Sequence, residues 1–237
     1  MNTRAQGFTL IELAAVLALA GILAALAAPD VSDWLAKRRV QAQAERMQTL
    51  LKTAQQEAVR LNSTVFVCTS QVKKDINVDN HCDSRYFGQG FSAWADINGN
   101  RFYDGKDKPG SNNAYTTDFL IRSVVINEPE ASPKTEVSLS RWQFGGTHSS
   151  ETAEIFAFFS DGRFRRYQGR SKGKAPAEAV AGGGYTRIAF TQPHQNPERR
   201  KHRTAAVWLD SSGNSKICRP NDTGLPCRLE ESAQADS

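Results

Sequence analysis

The side chains that could carry out acid–base or nucleophilic chemistry do not form a catalytic set in this chain. Its four histidines, His81, His148, His194 and His202, are far apart in sequence and lie in polar, turn-rich segments. The glycine run 182–184 lacks the Lys-Ser or Lys-Thr that follows the glycines of a phosphate-binding loop. We therefore expect a protein that is not an enzyme and that has no cofactor.

One polar segment has the spacing of a calcium-binding loop. Asp96, Asn98, Asn100 and Asp104 place oxygen atoms at the first, third, fifth and ninth positions of such a loop. The sixth position, where the loop needs glycine for its sharp bend, is Arg101. Asp and Asn also favour turns because their side chains bond to nearby backbone. We interpret the segment as a turn and keep calcium as the weaker alternative.

Two clusters of basic residues are candidates for binding nucleic acid. Lysine and arginine side chains on loops neutralise phosphates without reading the base sequence, and the chain has a formal net charge of +5. The preferred interpretation is a solvated or subunit-facing basic surface, and DNA binding is the disfavoured alternative. The candidates are Arg163, Arg165 and Arg166 in one cluster and Arg199, Arg200, Lys201 and Arg203 in the other.

The N-terminal segment carries one acidic side chain inside an otherwise apolar run. From Phe8 to Ala28, Glu12 is the only ionisable residue. The run is about 21 residues long, which is the length that a helix needs to cross the hydrocarbon core of a bilayer. A carboxylate within such a helix costs free energy unless it is offset. The segment therefore predicts a membrane helix in which Glu12 has a specific role.

The residues around Glu12 carry a family resemblance. Residues 7–13, which read Gly-Phe-Thr-Leu-Ile-Glu-Leu, resemble the class III leader of type IV pilins and type II secretion pseudopilins. An ordinary secretory signal differs because its cleavage site follows the apolar run. The resemblance implies that a prepilin peptidase cleaves after Gly7 and methylates the new amino terminus of Phe8. Glu12 would then pair with this amine at i+4 or with that of a neighbouring subunit, and an acid tolerated near the membrane surface is the alternative.

Four cysteines follow the predicted anchor. The anchor implies a domain outside the cytoplasm, where disulfides persist. Four cysteines allow three connectivities, and the pairing of sequence neighbours, Cys68 with Cys82 and Cys218 with Cys227, is favoured. A zinc site is disfavoured because the spacings are not Cys-x-x-Cys and no histidine lies beside them at ligand spacing.

An apolar stripe follows the membrane segment. Its residues recur at intervals of three and four, which is typical of one face of a helix, whereas Arg39, Gln43, Arg46 and Gln56 are expected on the opposite face. We expect one long helix that ends near Leu61 and packs its second half against a sheet. The stripe consists of Val40, Ala44, Met47, Leu51, Ala54, Ala58 and Leu61.

Short segments rich in β-branched and aromatic residues follow this helix. Polar turn sequences such as Asn98-Gly99 and Asp161-Gly162 separate them. One helix followed by short strands and polar turns indicates an α+β fold with an antiparallel sheet. The predicted strands cover 64–69, 91–95, 119–126, 137–144, 155–159, 185–191 and 205–209.

The order of these motifs is similar to that of the GspH/FimT group of pseudopilins and minor pilins. Residues 90–100, which read Gly-Phe-Ser-Ala-Trp-Ala-Asp-Ile-Asn-Gly-Asn, and residues 159–163, Phe-Ser-Asp-Gly-Arg, carry this similarity. It implies a pilin-like α+β fold, with a long N-terminal transmembrane and amphipathic helix packed on an antiparallel β-sheet domain. The expected parts are a leader 1–7, a transmembrane and filament-core helix 8–29, an amphipathic half 30–62, a periplasmic β-rich domain 63–227 and a polar tail 228–237.

The resemblance implies a structural role, for which three hypotheses stand in order. The first is a minor pilin-like subunit for type IV pilus assembly, the second a type II secretion pseudopilin for protein export, and the third a DNA-uptake receptor at the pilus tip. The third is weakened because residues 213–216 read Gly-Asn-Ser-Lys at the place where some FimT-type minor pilins linked to DNA uptake have Gly-Arg-x-Arg. Residues 162–165, Gly-Arg-Phe-Arg, fit that pattern but lie further upstream.

The same resemblance implies where the protein resides and which proteins it meets. The expected location is the inner membrane, crossed once, with a cytoplasmic N-terminus, a periplasmic domain and later a place in a surface filament. The implied partners are the prepilin peptidase, other minor and major pilins or pseudopilins, and the inner-membrane assembly machinery.

Overall fold

The computed structural model describes residues 9–103, 117–143, 148–151, 154–168, 184–219, 222, 224 and 226–227. The leader 1–7 with Gly7, the adjoining Phe8, the calcium-loop candidate Asp104 and the tail 228–237 lie outside the described residues, so the predictions made for them stay predictions.

One long helix comes first, and strands make up most of the remaining described elements, so the α+β fold class is confirmed. The helices are α1 Leu10–Leu61 and α2 Pro197–His202, with a short 3₁₀ helix at Ser84–Tyr86. The strands are β1 Thr64–Val72, β2 Val78–His81, β3 Gly90–Asp96, β4 Phe119–Val125, β5 Glu136–Gln143, β6 His148–Glu151, β7 Glu154–Phe158, β8 Phe164–Gln168, β9 Gly184–Thr191, β10 Thr204–Leu209 and β11 Ser215–Cys218.

Local sequence signals set both ends of α1, which is 52 residues long. Thr9 is the N-cap, and it forms a reciprocal capping box with Glu12 that satisfies two backbone N–H groups at the helix start. At the other end, Asn62 adopts a left-handed conformation with φ of 50° and donates its N–H to carbonyls of the last turn. The helix therefore ends at the residue where the apolar stripe ends.

The second half of α1 buries the predicted stripe. Val40, Ala44, Met47, Leu51, Ala54 and Ala58 are at most 2% exposed, and Leu61 packs at the edge of the same core. The prediction for Gln43 was wrong: its side chain is buried and donates to the carbonyl of Ile126 at 2.9 Å. Gln43 lies three residues after Val40 and next to Ala44, so its side chain is on the side of α1 that faces the domain. There the chain after β4 covers it.

The strands form two antiparallel sheets rather than the one sheet region expected. The first sheet has the order β4-β3-β1-β7-β8, with β2 paired to β1 as a sixth strand. The second has the order β11-β10-β9-β5-β6. Strands β2, β6, β8 and β11 and helix α2 were not predicted from the sequence, since each is short or begins within a polar segment.

The main core lies where α1 meets the inner faces of both sheets. Val67 of β1, Phe156 of β7 and Ile188 of β9 belong to the same buried cluster as Met47 of α1. The outer faces carry two smaller clusters, one around Phe66 and Trp94 on the first sheet and one around Trp142 and Trp208 on the second. The strands therefore bury side chains on both of their faces.

Candidate functional site

The first half of α1 carries large apolar side chains in the open. Leu10 is 87% exposed, Ile11 77% and Leu23 67%. The same holds for Leu13, Val16, Leu17, Leu19 and Ile22, each of which is more than half exposed. This surface does not follow one helical face, so it differs from the stripe that packs against the domain.

Within the described part of the chain, no helix contains a stretch that is both long enough and apolar enough to cross a membrane.

Glu12 closes the start of the helix. Its Oε2 accepts hydrogen bonds from the Thr9 N–H at 2.9 Å and from the Thr9 hydroxyl at 2.8 Å. The Thr9 hydroxyl oxygen in turn accepts the N–H of Glu12 at 3.3 Å. A carboxylate has about four acceptor sites, so this cap leaves capacity for a further donor such as an amine.

An ion pair fixes α1 at the point where it enters the domain. Arg203, the residue between α2 and β10, donates from Nε to Oδ1 of Asp33 at 2.6 Å, and Arg199 of α2 lies 3.3 Å from Oδ2. The hydrogen bond from Arg203 lowers the pKa of the Asp33 carboxyl. Because Arg203 is only 9% exposed, its charge would be costly to bury without this partner.

The second basic cluster divides between two roles. Arg203 is buried at Asp33, and Arg200 pairs with Glu136 of β5. Asn196 caps α2 by accepting the N–H groups of its first turn, which orients the exposed Arg199 and Lys201. Three of the four predicted DNA-binding side chains, Arg199, Arg200 and Arg203, therefore pair with acidic residues of other elements.

The first basic cluster is also divided. Arg165 is exposed on the outer face of β8, whereas the next residue, Arg166, points inward and donates to the Thr186 hydroxyl of β9 at 2.7 Å. Arg163 lies in the turn before β8 and pairs with Asp161 at 2.5 Å. Successive strand residues face opposite sides, so the three arginines do not all lie on one surface.

The described residues of the calcium-loop candidate are bonded as a turn. The carboxylate of Asp96 accepts the backbone N–H groups of Gly99 at 2.9 Å and Arg101 at 3.0 Å. Asn98 accepts the N–H of Asn100 at 3.0 Å. Among the residues that the structure describes, no group of three His, Cys, Asp or Glu side chains is placed to hold a metal ion. These oxygens serve the backbone of their own loop.

Two disulfides close short loops in the domain. Cys68 of β1 is joined to Cys82, with Cα atoms 4.9 Å apart, and Cys218 of β11 is joined to Cys227, with Cα atoms 5.3 Å apart. Each bond lies within one of the outer-face clusters. The disulfides therefore hold loop and C-terminal segments over the aromatic side chains of the two sheets.

Asp33 and Trp34 were not among the functional residues predicted from the sequence. Asp33 precedes the buried residues Ala36 and Val40 by three and seven positions, so a helical pattern places its charge on the buried face. That placement indicates that Asp33 has a positively charged partner in the domain. It does not indicate which arginine is that partner. Trp34 lies on the opposite side and is 55% exposed, with the Arg38 guanidinium 5.6 Å from its ring centre.

Comparisons with known proteins give two family matches. The family described as "Type II transport protein GspH" matches residues 43–182, which is more than half of the chain. The "Prokaryotic N-terminal methylation motif" matches residues 2–28. A search of the curated proteins found no match.

Among solved structures, the type IV minor pilin FimU of Pseudomonas aeruginosa (strain PAO1) aligns with 14% identity over 80% of this chain and 96% of its own. The TM-score is 0.38, which is too low to support an argument.

Proposed function

Because the chain belongs to the family of the type II transport protein GspH, we propose that it is a minor pilin-like subunit that helps to assemble a type IV pilus. A role as a minor pilin or pseudopilin follows from the family and from the N-terminal methylation motif. Assignment to the pilus, and not to protein export, is the part we propose. The observation that carries the pilin-like role is a methylation motif joined to a helix whose first half is apolar and exposed.

An exposed apolar surface of this size needs to be covered by lipid or by other protein chains. Burying one large aliphatic side chain is worth about 1.5–3 kcal/mol, and eight such side chains are exposed between Leu10 and Leu23. We propose that the inner membrane covers them first and that the helices of other pilins cover them in the filament. In this proposal the domain is periplasmic and the N-terminus is cytoplasmic.

The proposed role is structural and non-enzymatic. Glu12 pairs with an N-terminal amine, which offsets its charge in an apolar surrounding where pairing matters most. The prepilin peptidase and the inner-membrane assembly machinery act on the subunit, and other minor and major pilins bind it.

Mass spectrometry of the purified protein tests the processing step. The expected product begins at Phe8, carries an N-methyl group and lacks residues 1–7. A bulky charged residue at position 7, as in Gly7→Glu, should block cleavage, whereas Gly7→Ala should be cleaved in part because alanine is small. An intact leader on assembled protein would overturn the pilin-like function.

A type II secretion pseudopilin is the second candidate, and the description of the matched family favours it. A deletion strain separates the two. The pilus assignment predicts fewer surface pili with normal export of secreted proteins, whereas the pseudopilin assignment predicts the reverse. Complementation with the intact gene should restore whichever activity is lost.

A further inference from the structure

The helix surface just beyond the proposed membrane segment is apolar and faces away from the domain. Val31, Trp34 and Leu35 are each more than half exposed, and Arg38 follows one turn later on the same side. The buried residues Ala36 and Val40 lie on the other side of this turn of the helix. We call the surface formed by Val31, Trp34, Leu35 and Arg38 the Trp34 face. The domain leaves it uncovered.

From this surface we propose a binding site for anionic lipid headgroups on the periplasmic side of the membrane. The inference rests on the proposed membrane anchor and adds a second contact, at the level where the helix leaves the bilayer. The occupant follows from three properties of the described residues, namely their position along the helix, their side-chain type and their charge.

Position is the first property. A helix rises about 1.5 Å per residue, so the Trp34 Cα lies about 9 Å beyond Ala28, the last residue of the apolar run. Helical side chains lean toward the N-terminus by about one turn, which is the membrane side in the proposed orientation. The headgroup layer is about 5–7 Å thick on each side of the hydrocarbon core. The indole of Trp34 is therefore expected at headgroup level.

Side-chain type is the second property. Tryptophan is enriched at membrane interfaces because its ring is apolar and its N–H is polar. Trp94, Trp142 and Trp208 are at most 8% exposed, whereas Trp34 is 55% exposed. Of the four tryptophans, all of which the structure describes, this one lies where an interface would use it.

Charge is the third property. The exposed cations at this end of the domain come from two separate parts of the chain, because the ion pair of Arg199 and Arg203 with Asp33 holds α2 beside α1. A small cavity lined by both Lys37 and His202 supports the same placement. We call these exposed cations the basic collar, which consists of Lys37, Arg38, Arg39, Arg199 and Lys201.

The described acidic neighbours of the collar are fewer than its five cations. Asp33 pairs with Arg199 and Arg203, Asp222 lines the cavity beside Lys37, and Glu198 is the exposed acid within α2. In sequence, Asp30 adds one further carboxylate. Each lysine or arginine near an anionic membrane surface adds attraction that falls off within a Debye length, so the collar favours an anionic bilayer over a neutral one.

Trp34 is also the probe for the experiment. The full chain is reconstituted into vesicles of phosphatidylethanolamine and phosphatidylglycerol that contain lipids brominated either near the headgroup or near the acyl terminus. The fluorescence difference between the wild type and Trp34→Phe isolates the signal of Trp34. Headgroup-proximal bromine should remove more than half of that signal, and deep bromine should remove much less.

Paired charge variants test the collar. Lys37→Gln with Arg38→Gln should reduce the quenching in phosphatidylglycerol vesicles to the level found in purely phosphatidylcholine vesicles. The matched control is Arg46→Gln with Lys52→Gln, two exposed cations on the same helix that lie at least about 12 Å farther from the bilayer. The control should keep the wild-type quenching, and equal losses in both variants would overturn the role of the collar.

Three further outcomes would overturn the headgroup site. If the chain resists alkaline carbonate extraction but aqueous iodide quenches Trp34 and bromolipid does not, the helix is anchored and the headgroup site is wrong. If neither reagent quenches Trp34, protein covers the Trp34 face, and a second copy is its occupant. If carbonate releases the chain, the anchor itself is wrong, and the proposed function fails together with the site.

Discussion

The two halves of α1 are both rich in apolar residues, and the structure treats them in opposite ways. Leu50 and Leu51 in the second half are at most 1% exposed, whereas Leu10 and Leu17 in the first half are 87% and 64% exposed. The second half alternates apolar and polar positions with a helical period, so one side can face two sheets and the other can face water. The first half has no polar side, so a domain that packs against one side of the helix could not cover all of its apolar side chains.

The contrast shows that apolar content does not by itself make a protein core. An apolar stripe on one side of a helix specifies the side that packs against the domain. A helix that is apolar on all sides needs lipid or protein all around it. The junction between the two halves is where Asp33 bonds to Arg203. The contrast can be tested with variants in each half and at the junction.

The largest effect is expected from truncating a buried leucine. Leu50→Ala should lower the free energy of unfolding of the domain by about 2–5 kcal/mol, because it removes core contacts and leaves a cavity. Leu17→Ala, the matched change in the first half, should leave that free energy unchanged. Urea unfolding in detergent, followed by near-ultraviolet circular dichroism, gives both values. Equal losses would mean that the first half packs on the domain.

The disulfides should come next. Removing the Cys68–Cys82 bond, which spans a sequence separation of 14, should cost about 3 kcal/mol in the chain-entropy model. The loss belongs to the β-rich domain, so the helix content of the first half of α1 should not change. Peptide mapping of the unreduced protein should recover both local pairs. Four free thiols, or crossed pairs, would contradict the assignment.

A smaller effect is expected at the junction. Asp33→Asn should cost about 1 kcal/mol, the upper end of the range for surface ion pairs, because both side chains are only slightly exposed. A double-mutant cycle with Arg203→Gln isolates this coupling. If Arg203→Gln costs the same in the presence and absence of Asp33, the pair does not hold the helix.

The junction should also depend on pH. The pKa of Asp33 is lowered in the folded protein, so its contribution is present above the unfolded value of about 4. It is lost as the pH falls through the lower folded value. The difference in stability between the wild type and Asp33→Asn should therefore be constant near neutral pH and disappear in acid.

The smallest effect on folding is expected at Glu12. Glu12→Ala should leave the domain stability and precursor cleavage unchanged, because the side chain is bonded to Thr9 at the helix tip, remote from the core. Incorporation into filaments should fall, as measured by the amount of subunit in sheared pili. Glu45→Ala, which removes an exposed acid from the second half, is the control. Normal incorporation of Glu12→Ala would show that the charge pairing is dispensable.

The sequence alone determined the features that depend on near neighbours. The apolar run, the helical period of the stripe and the helix end near Leu61 are all visible in the spacing of side chains. Each of the seven predicted strands overlaps an observed strand, because the alternation of side chains and the turn residues act over a few positions. The pairing of Cys68 with Cys82 was favoured, but not fixed, by their closeness in sequence.

The tertiary structure decided what depends on distant parts of the chain. Strand spacing does not say which strands pair, so two sheets appeared where one sheet region was expected. Arg165 and Arg166 are neighbours in sequence and were predicted to form one cluster. In β8, however, Arg166 faces inward and Arg165 faces outward. Asp33 and Arg203 are 170 positions apart, and only the packing of α1 against the second sheet brings them together. The period of a sequence specifies a face, but the partner of that face is set by how the whole chain folds.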